Sequence, residues 1–216
     1  MLIRALLVAA VMAASLGAPE AVHAAEDPAV RVFQRKPFLR RERAEIAPWV
    51  GMTVNDSLIQ HYYTGLGVSY HISEHLSVGL NGAKAFGQET TLFEKVQSDF
   101  ALNPVVSKVD WFGTAEAAYA FLYGKFVLFN SVLVHLDTSA VGGVGATGTA
   151  AGAAAVTFDA GVFQRFYLAR WLTVNLGVKH YMHLDEVRGE STLFHSTIVM
   201  TGASIWLPDF EYRTFR

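Results

Sequence analysis

Cysteine is absent from the 216 residues, which excludes disulfides, thiolate metal sites and a cysteine nucleophile. Charge is scarce. Only 17% of residues are Asp, Glu, Lys or Arg, and 17 basic against 19 acidic side chains leave a net charge of −2. A nucleic-acid binder would carry a basic excess that this chain lacks. Long apolar runs are missing too. Beyond the first 25 residues polar or charged side chains break every window, and a spanning helix needs about 20 apolar residues in a row. What is present is a hydrophobic fraction of 52%, too high for a disordered chain, in a length that suits one domain.

The beginning of the chain reads as a secretory signal. Arg4 supplies the positive start, residues 5–16 the short apolar run, and Val22-His23-Ala24 the cleavage positions. Segment 1–24 is therefore expected to be removed, with the mature chain starting near Ala25 outside the cytoplasm. Without a cysteine it cannot carry a lipid anchor. Residues 25–43 form a basic arm, with Arg31, Arg35, Lys36, Arg40, Arg41 and Arg43 against Glu26, Asp27 and Glu42. A solvated arm is one reading. Contact with anionic lipid, an anionic cell-wall polymer or a partner protein is the other.

From residue 44 onward the apolar residues alternate rather than recurring every three or four positions. In 171–183, Leu172, Val174, Leu176, Val178 and Met182 fall on one face, while Thr173, Asn175, Gly177, Lys179 and Tyr181 fall on the other. The same period organises 60–72, 131–142 and 154–165. Eight strands are predicted, at about 44–54, 60–72, 76–86, 109–121, 130–142, 154–165, 171–183 and 195–207. Globular strands average about 5–6 residues, whereas a tilted strand crossing a bilayer needs about 9–11. Short turns at 73–75 and 167–170 alternate with long connections at 87–108, 143–153 and 184–194, as in barrels that keep short periplasmic turns and longer outward loops. The expected fold is thus an all-β, eight-stranded antiparallel up-and-down transmembrane barrel spanning 44–208, with a short tail at 209–216.

Two aromatic clusters flank short connections and are expected to form an interfacial belt: Phe121, Tyr123, Phe126 and Phe129, then Phe163, Phe166, Tyr167 and Trp171. Small residues at inward positions, such as Gly65, Gly67, Gly79, Ala83, Ala118, Gly161 and Gly177, let a narrow barrel fill its own interior, which argues against a wide pore. Leu92, Phe93, Val96 and Phe100 have helical spacing within the first long connection, so a short amphipathic helix is expected there.

Glu116, His135, Asp137, Asp159, Asn175 and Lys179 are the polar residues expected to point inward on neighbouring strands. Buried charges must be paired, so these are read as a network holding the interior together. No catalytic group emerges. His195-Ser196 is the one pair with the residue types of an esterase, but adjacent strand residues face opposite ways, and no G-x-S-x-G elbow occurs. The eight histidines show no zinc-binding motif: there is no H-E-x-x-H, and His180 and His183 face opposite sides. Neither a metal nor an organic cofactor is expected. The Gly- and Ala-rich stretch 142–152 lacks a P-loop lysine and reads as a loop.

Gln34-Arg35-Lys36-Pro37-Phe38 leads into the first strand and Val54-Asn55-Asp56 ends it. Tyr123-Gly124-Lys125-Phe126, Leu128-Phe129-Asn130 and His135 follow in mid-chain, and Trp206-Leu207-Pro208 closes the last strand. In order and spacing this resembles the small outer-membrane β-barrel family of myxobacteria and related deltaproteobacteria, over about residues 32–208. The resemblance implies a non-enzymatic outer-membrane protein, an anchor or subunit of a motility- or export-linked envelope assembly. No catalytic residues are carried over from the family. Arg31, Arg35, Lys36, Arg40, Arg41, Tyr123 and Lys125 would form the partner-facing surface of a monomeric barrel embedded in lipid. The rival expectation is a lipid- or small-ligand-handling barrel, either a membrane enzyme or a lipocalin-like carrier, or a narrow channel. One departure from usual barrel practice is that Phe215 is followed by Arg216, so the chain lacks a terminal aromatic.

Overall fold

The computed structural model describes residues 39–100, 108–128, 132–149, 154–187 and 190–208. The expected signal segment, the arm up to residue 38 and the expected tail at 209–216 lie outside them. Eight strands follow in chain order: β1 (Arg43–Thr53), β2 (Ile59–His71), β3 (Leu76–Glu89), β4 (Val109–Leu128), β5 (Val132–Thr149), β6 (Ala154–Tyr167), β7 (Leu172–Val187) and β8 (Glu190–Leu207). Each pairs antiparallel with the next, and β8 returns to β1 to close the barrel. The closing ladder runs from Ala44↔Leu207 to Thr53↔Ile198. It is interrupted at 47–48, where Pro48 has no N–H to offer. Beyond its last rung the Asn55 side chain continues the seam: Oδ1 accepts from Thr197 N at 2.6 Å, and Nδ2 donates to His195 O at 3.0 Å.

Short polar side chains set the tight connections. Asp56 Oδ1 accepts from Leu58 N and Ile59 N, folding the link between β1 and β2. Ser73 Oγ does the same for His75 N and Leu76 N between β2 and β3. The predicted helix is α1 (Thr91–Phe100). Thr90 precedes it and accepts from Phe93 N, and Phe93 is the buried member of its apolar face.

Two predicted connections, 143–153 and 184–194, are shorter than expected because the strands run on. β5 continues to Thr149 through the Gly-rich stretch read as a loop, β7 continues to Val187, and β8 already begins at Glu190. Close packing explains the first case. A Cβ on Gly145 would lie 1.9 Å from Gly113 O, and one on Gly148 would lie 2.2 Å from the Trp111 ring. Gly148 pairs with Trp111, Gly65 with Trp49 and Gly177 with Phe163. In each pair the ring lies over the glycine, a device that fills the space a side chain would occupy. Gly145→Ala meets fixed backbone and should cost about 1–3 kcal/mol. Gly67→Ala, whose Cβ would find its nearest atom at 3.7 Å, should stay within about 0.5 kcal/mol. Urea midpoints of the two variants, read as loss of the compact unboiled band on a denaturing gel, test the contrast.

β4 and β5 also outrun their neighbours at the end that holds the chain start. β3 pairs with β4 only as far as Leu76↔Tyr119, whereas the β4–β5 ladder continues to Leu128↔Val132. A bulge at Phe121, between Ala120↔Ser139 and Leu122↔Thr138, marks where this extension leaves the wall.

Candidate functional site: the barrel interior and its two rims

The strand alternation sorts side chains in an unusual way. Outward positions are apolar and exposed, among them Val50, Leu66, Val68, Val78, Leu80 (69% exposed), Phe158, Leu176 and Ile205. Inward positions are polar and buried, with Glu45, Asp137, Lys179 and Ser204 at 2% exposure or less. A water-soluble barrel would require the reverse.

The interior is filled in three tiers. The lowest, at the rim carrying the chain start, is a charged network. Asp137 Oδ2 accepts from Arg40 Nη1 at 3.0 Å and from the Tyr167 hydroxyl, and Oδ1 lies 3.5 Å from Arg165 Nη1. Arg165 also donates to Ser139 at 2.7 Å and pairs with Glu45 at 3.4 Å. Glu45 accepts from Ser204 at 2.6 Å, and its other oxygen meets His71 Nε2 at 2.9 Å. Asn175 donates to Ser204 and sits beside Thr173, which accepts from the Trp206 indole N–H. Trp206, fully buried, closes this floor against His71 and Tyr167, with the Arg43 guanidinium 5.7 Å from its ring centroid.

The middle tier holds one cation and two carboxylates. Lys179, with no exposed side-chain surface, donates to Glu116 and lies 3.8 Å from Asp159. Glu116 further accepts from Asn81 Nδ2 at 2.9 Å and Thr114 Oγ1 at 2.8 Å, and Asn81 in turn accepts from the Trp49 indole. Glycines make the room. A Cβ on Gly143 would fall 2.7 Å from Asp159 Oδ2 and 2.8 Å from Glu116 Cγ, and one on Gly161 would fall 2.7 Å from Lys179 Cγ. Above this, Trp49, Tyr63, Ala85, Val109, Phe112, Tyr181, Ile198 and Met200 form an apolar plug. A cavity of about 80 Å³ remains beside β2 and β3, lined by Gly67, Gly79, Asn81, Glu116 and Arg165 among others. Its walls are mostly apolar, with Asn81, Glu116 and Arg165 as polar partners, and it has the size for a few ordered waters.

Of the six polar residues expected inside, five are there. They divide between tiers, Glu116, Asp159 and Lys179 in the middle and Asp137 and Asn175 below. His135 is the exception. It has inward parity, but its rung, His135↔Tyr167, is the last between β5 and β6, and it stacks on Tyr123 at 6.1 Å, outside the network. Arg40 corrects the arm reading. It is 4% exposed and lies inside the mouth, bound to Asp137 and to the Glu74 carbonyl, rather than on a partner surface. Arg41, Tyr123 and Lys125 are exposed at this rim, while Arg31, Arg35 and Lys36 lie outside the described residues. The network members not foreseen are Arg43, Glu45, His71, Asn81 and Arg165. All are polar residues in strands, and Glu45, Asn81 and Arg165 share parity with inward glycines or acids on their own strand.

The aromatic residues expected in a belt divide: Phe121, Tyr123, Phe126 and Trp171 are exposed, and Phe166 is half-buried with its ring against Phe126. Tyr70 and Tyr119 are exposed toward the lower rim with them, but Tyr167 and Phe163 turn inward, Phe163 to within 5.3 Å of the Lys179 ammonium. Phe129 lies outside the described residues. His195 and Ser196 do not meet. His195 is exposed, and its ring contacts His180 instead. Among the described residues no cluster of three or more His, Asp or Glu side chains is placed to hold a metal ion, and no helix is long and apolar enough to cross a membrane.

A closed barrel with an apolar wall, a paired polar interior and strands of 11–20 residues is a transmembrane β-barrel. No protein-family model matches the chain, and no curated protein matches it. Among solved structures it is similar to the N-terminal β-barrel domain of OprF from Pseudomonas aeruginosa, with 8% identity, a TM-score of 0.44, and 77% of this chain and 98% of that one covered. It is also similar to Ail, the attachment invasion locus protein of Yersinia pestis, with 10% identity, a TM-score of 0.39, and 77% and 99% covered. A third is Neisserial surface protein A, with 11% identity, a TM-score of 0.37, and 78% and 95% covered. The chain's own exterior, rather than these likenesses, makes it a membrane barrel.

Proposed function

We propose that this chain is a non-enzymatic outer-membrane barrel that anchors a periplasm-facing surface for an envelope assembly. The observation that carries the reading is the sealed lower mouth. Arg40, three residues before β1, is bound inside the barrel by Asp137, so the arm leaves from a fixed point beside the protruding β4–β5 hairpin. A barrel filled by ion pairs, Trp206 and an aromatic plug is an anchor rather than a conduit. A lipocalin-like carrier would need an apolar, hollow interior, and a channel would need a continuous path through these tiers. The signal-like start, the apolar outer wall and the resemblance to the small myxobacterial barrels support the outer membrane as the site. Arg41, Tyr123 and Lys125, with Arg31, Arg35 and Lys36 of the arm, are the proposed contact residues.

The absence of cysteine makes the topology directly testable. Leu92→Cys on α1 should react with a membrane-impermeant thiol reagent on intact cells. Lys125→Cys should react only after the outer membrane is permeabilised, and should then crosslink to an envelope protein. The opposite labelling order would reverse the orientation. Labelled but uncrosslinked Lys125→Cys would remove the support for a partner at this rim.

A further inference from the structure

Two histidines face outward on β7 and β8, where nearly every neighbour is apolar. His180 pairs in register with Thr197, and Met182 with His195, so His195 stands diagonally across from His180 on the same face. The rings stack with centroids 5.5 Å apart and an interplanar angle of 24°, and His180 Nε2 lies 3.3 Å from His195 Nδ1. Core packing does not account for them, since His195 is exposed on the outer wall. They sit at the upper edge of that wall, level with Asn55, where β1 has ended.

We propose that His180 and His195 form a two-imidazole site for a borderline divalent transition ion of the Zn²⁺, Ni²⁺ and Cu²⁺ class. Imidazole nitrogen suits these ions, whereas Mg²⁺ and Ca²⁺ require oxygen ligands. The spacing fits. With metal–nitrogen bonds of about 2.0–2.1 Å, two nitrogens on a tetrahedral ion lie about 3.3 Å apart. The supporting contact fits as well. His180 Nδ1 is 3.0 Å from Thr197 Oγ1. When the Nδ1 N–H donates to that hydroxyl, Nε2 is left as a lone pair on the side of His195, free to ligate an ion shared with that ring, the arrangement that orients metal-bound histidines generally. On the far side His180 faces Ala160, an exposed small residue, which leaves space for the ion's remaining water ligands. The site has two protein ligands from two strands, so no local sequence motif announces it. Binding depends only on the folded barrel, whatever assembly the barrel serves.

The test uses the mature, tag-free protein folded in detergent, titrated with Cu²⁺ and followed by electron paramagnetic resonance. One equivalent should bind with hyperfine splitting from two imidazole nitrogens, and Zn²⁺ in large excess should compete for the site, since Cu²⁺ is the tighter ion. Thr197→Val should weaken binding by about tenfold, the scale of losing an orienting partner. His180→Gln and His195→Gln should each weaken it further, and the double variant should abolish the two-nitrogen signal. All variants should keep the compact unboiled band, and His75→Gln should bind as the parent does. Absence of a stoichiometric two-nitrogen signal in the parent would overturn the site. So would a signal that survives in the His180→Gln, His195→Gln double variant.

Discussion

Lys179→Ala is expected to lower barrel stability by about 3–5 kcal/mol, because it leaves buried charge without its partner. Lys179 has no exposed side-chain surface, and it is the cation within ion-pair reach of both Glu116 and Asp159. The two carboxylates would not be affected equally. Glu116 keeps hydrogen bonds from Asn81 and Thr114, whereas both Asp159 oxygens are buried without a hydrogen bond. Asp159 therefore depends on the ammonium for its stabilisation as an anion. The double change Lys179→Ala with Asp159→Asn should recover part of the loss, a coupling that a double-mutant cycle measures. Lys179→Met separates charge from volume. It restores most of the packing against Phe163 and Tyr181 but none of the charge, so it should be nearly as damaging as alanine if pairing dominates. A urea midpoint for Lys179→Met close to the parent's would mean the ammonium contributes little and the stem's packing is what matters.

The strand pattern made this tier readable from the chain alone. Period-2 alternation places Glu116, Asp159 and Lys179 on the inner face, and a buried charge demands a partner, so a network follows from the sequence. The helix at 91–100 was readable for the same kind of reason, from apolar spacing in a connection otherwise too polar to bury. Parity also carried information that the aromatic clusters obscured. Phe163 lies four residues from Asp159 and two from Arg165, all on one face, so it had to point inward with them, whereas proximity to a turn placed it in the belt.

Three features could not be read locally. The Gly-rich end of β5 looks like a loop because strand propensity is low there. It is a strand because Gly113 and Trp111 across the ladder approach too closely for anything but glycine. His135 has inward parity, but the barrel no longer surrounds it, and only the register of β3 and β6 shows where the wall stops. Arg40 lies before the first alternating residue, so periodicity says nothing of it. A turn through Glu42, which adopts a left-handed φ of 61°, brings it back into the mouth. The outward histidine pair is a fourth case of a related kind, since 15 residues and a strand connection separate its members.

That turn gives the lower tier its mechanical role. Glu74 Oε1 accepts from the backbone N–H of both Arg40 and Arg41 at 3.0 Å, and Asp137 holds the Arg40 guanidinium from the opposite wall. The lead-in is thus fastened to the β2–β3 turn on one side and to β5 on the other. Asp137 is the critical member because it meets Arg40, Arg165 and Tyr167 together. Asp137→Ala should therefore do two things at once. It should cost about 3–5 kcal/mol through the uncompensated Arg40, while Arg165 retains Glu45 and Ser139. It should also free the lead-in, so that trypsin cleaves after Arg40 or Arg41 about tenfold faster than in the parent, the rate factor expected when local opening is made easier by about 1.4 kcal/mol. Asp137→Asn keeps an acceptor for Arg40 and should fall between the two in both readouts. A variant that loses stability without faster clipping would show that Asp137 supports the barrel wall but does not hold the arm. A variant changed in neither readout would remove the fixed exit point on which the anchor reading rests.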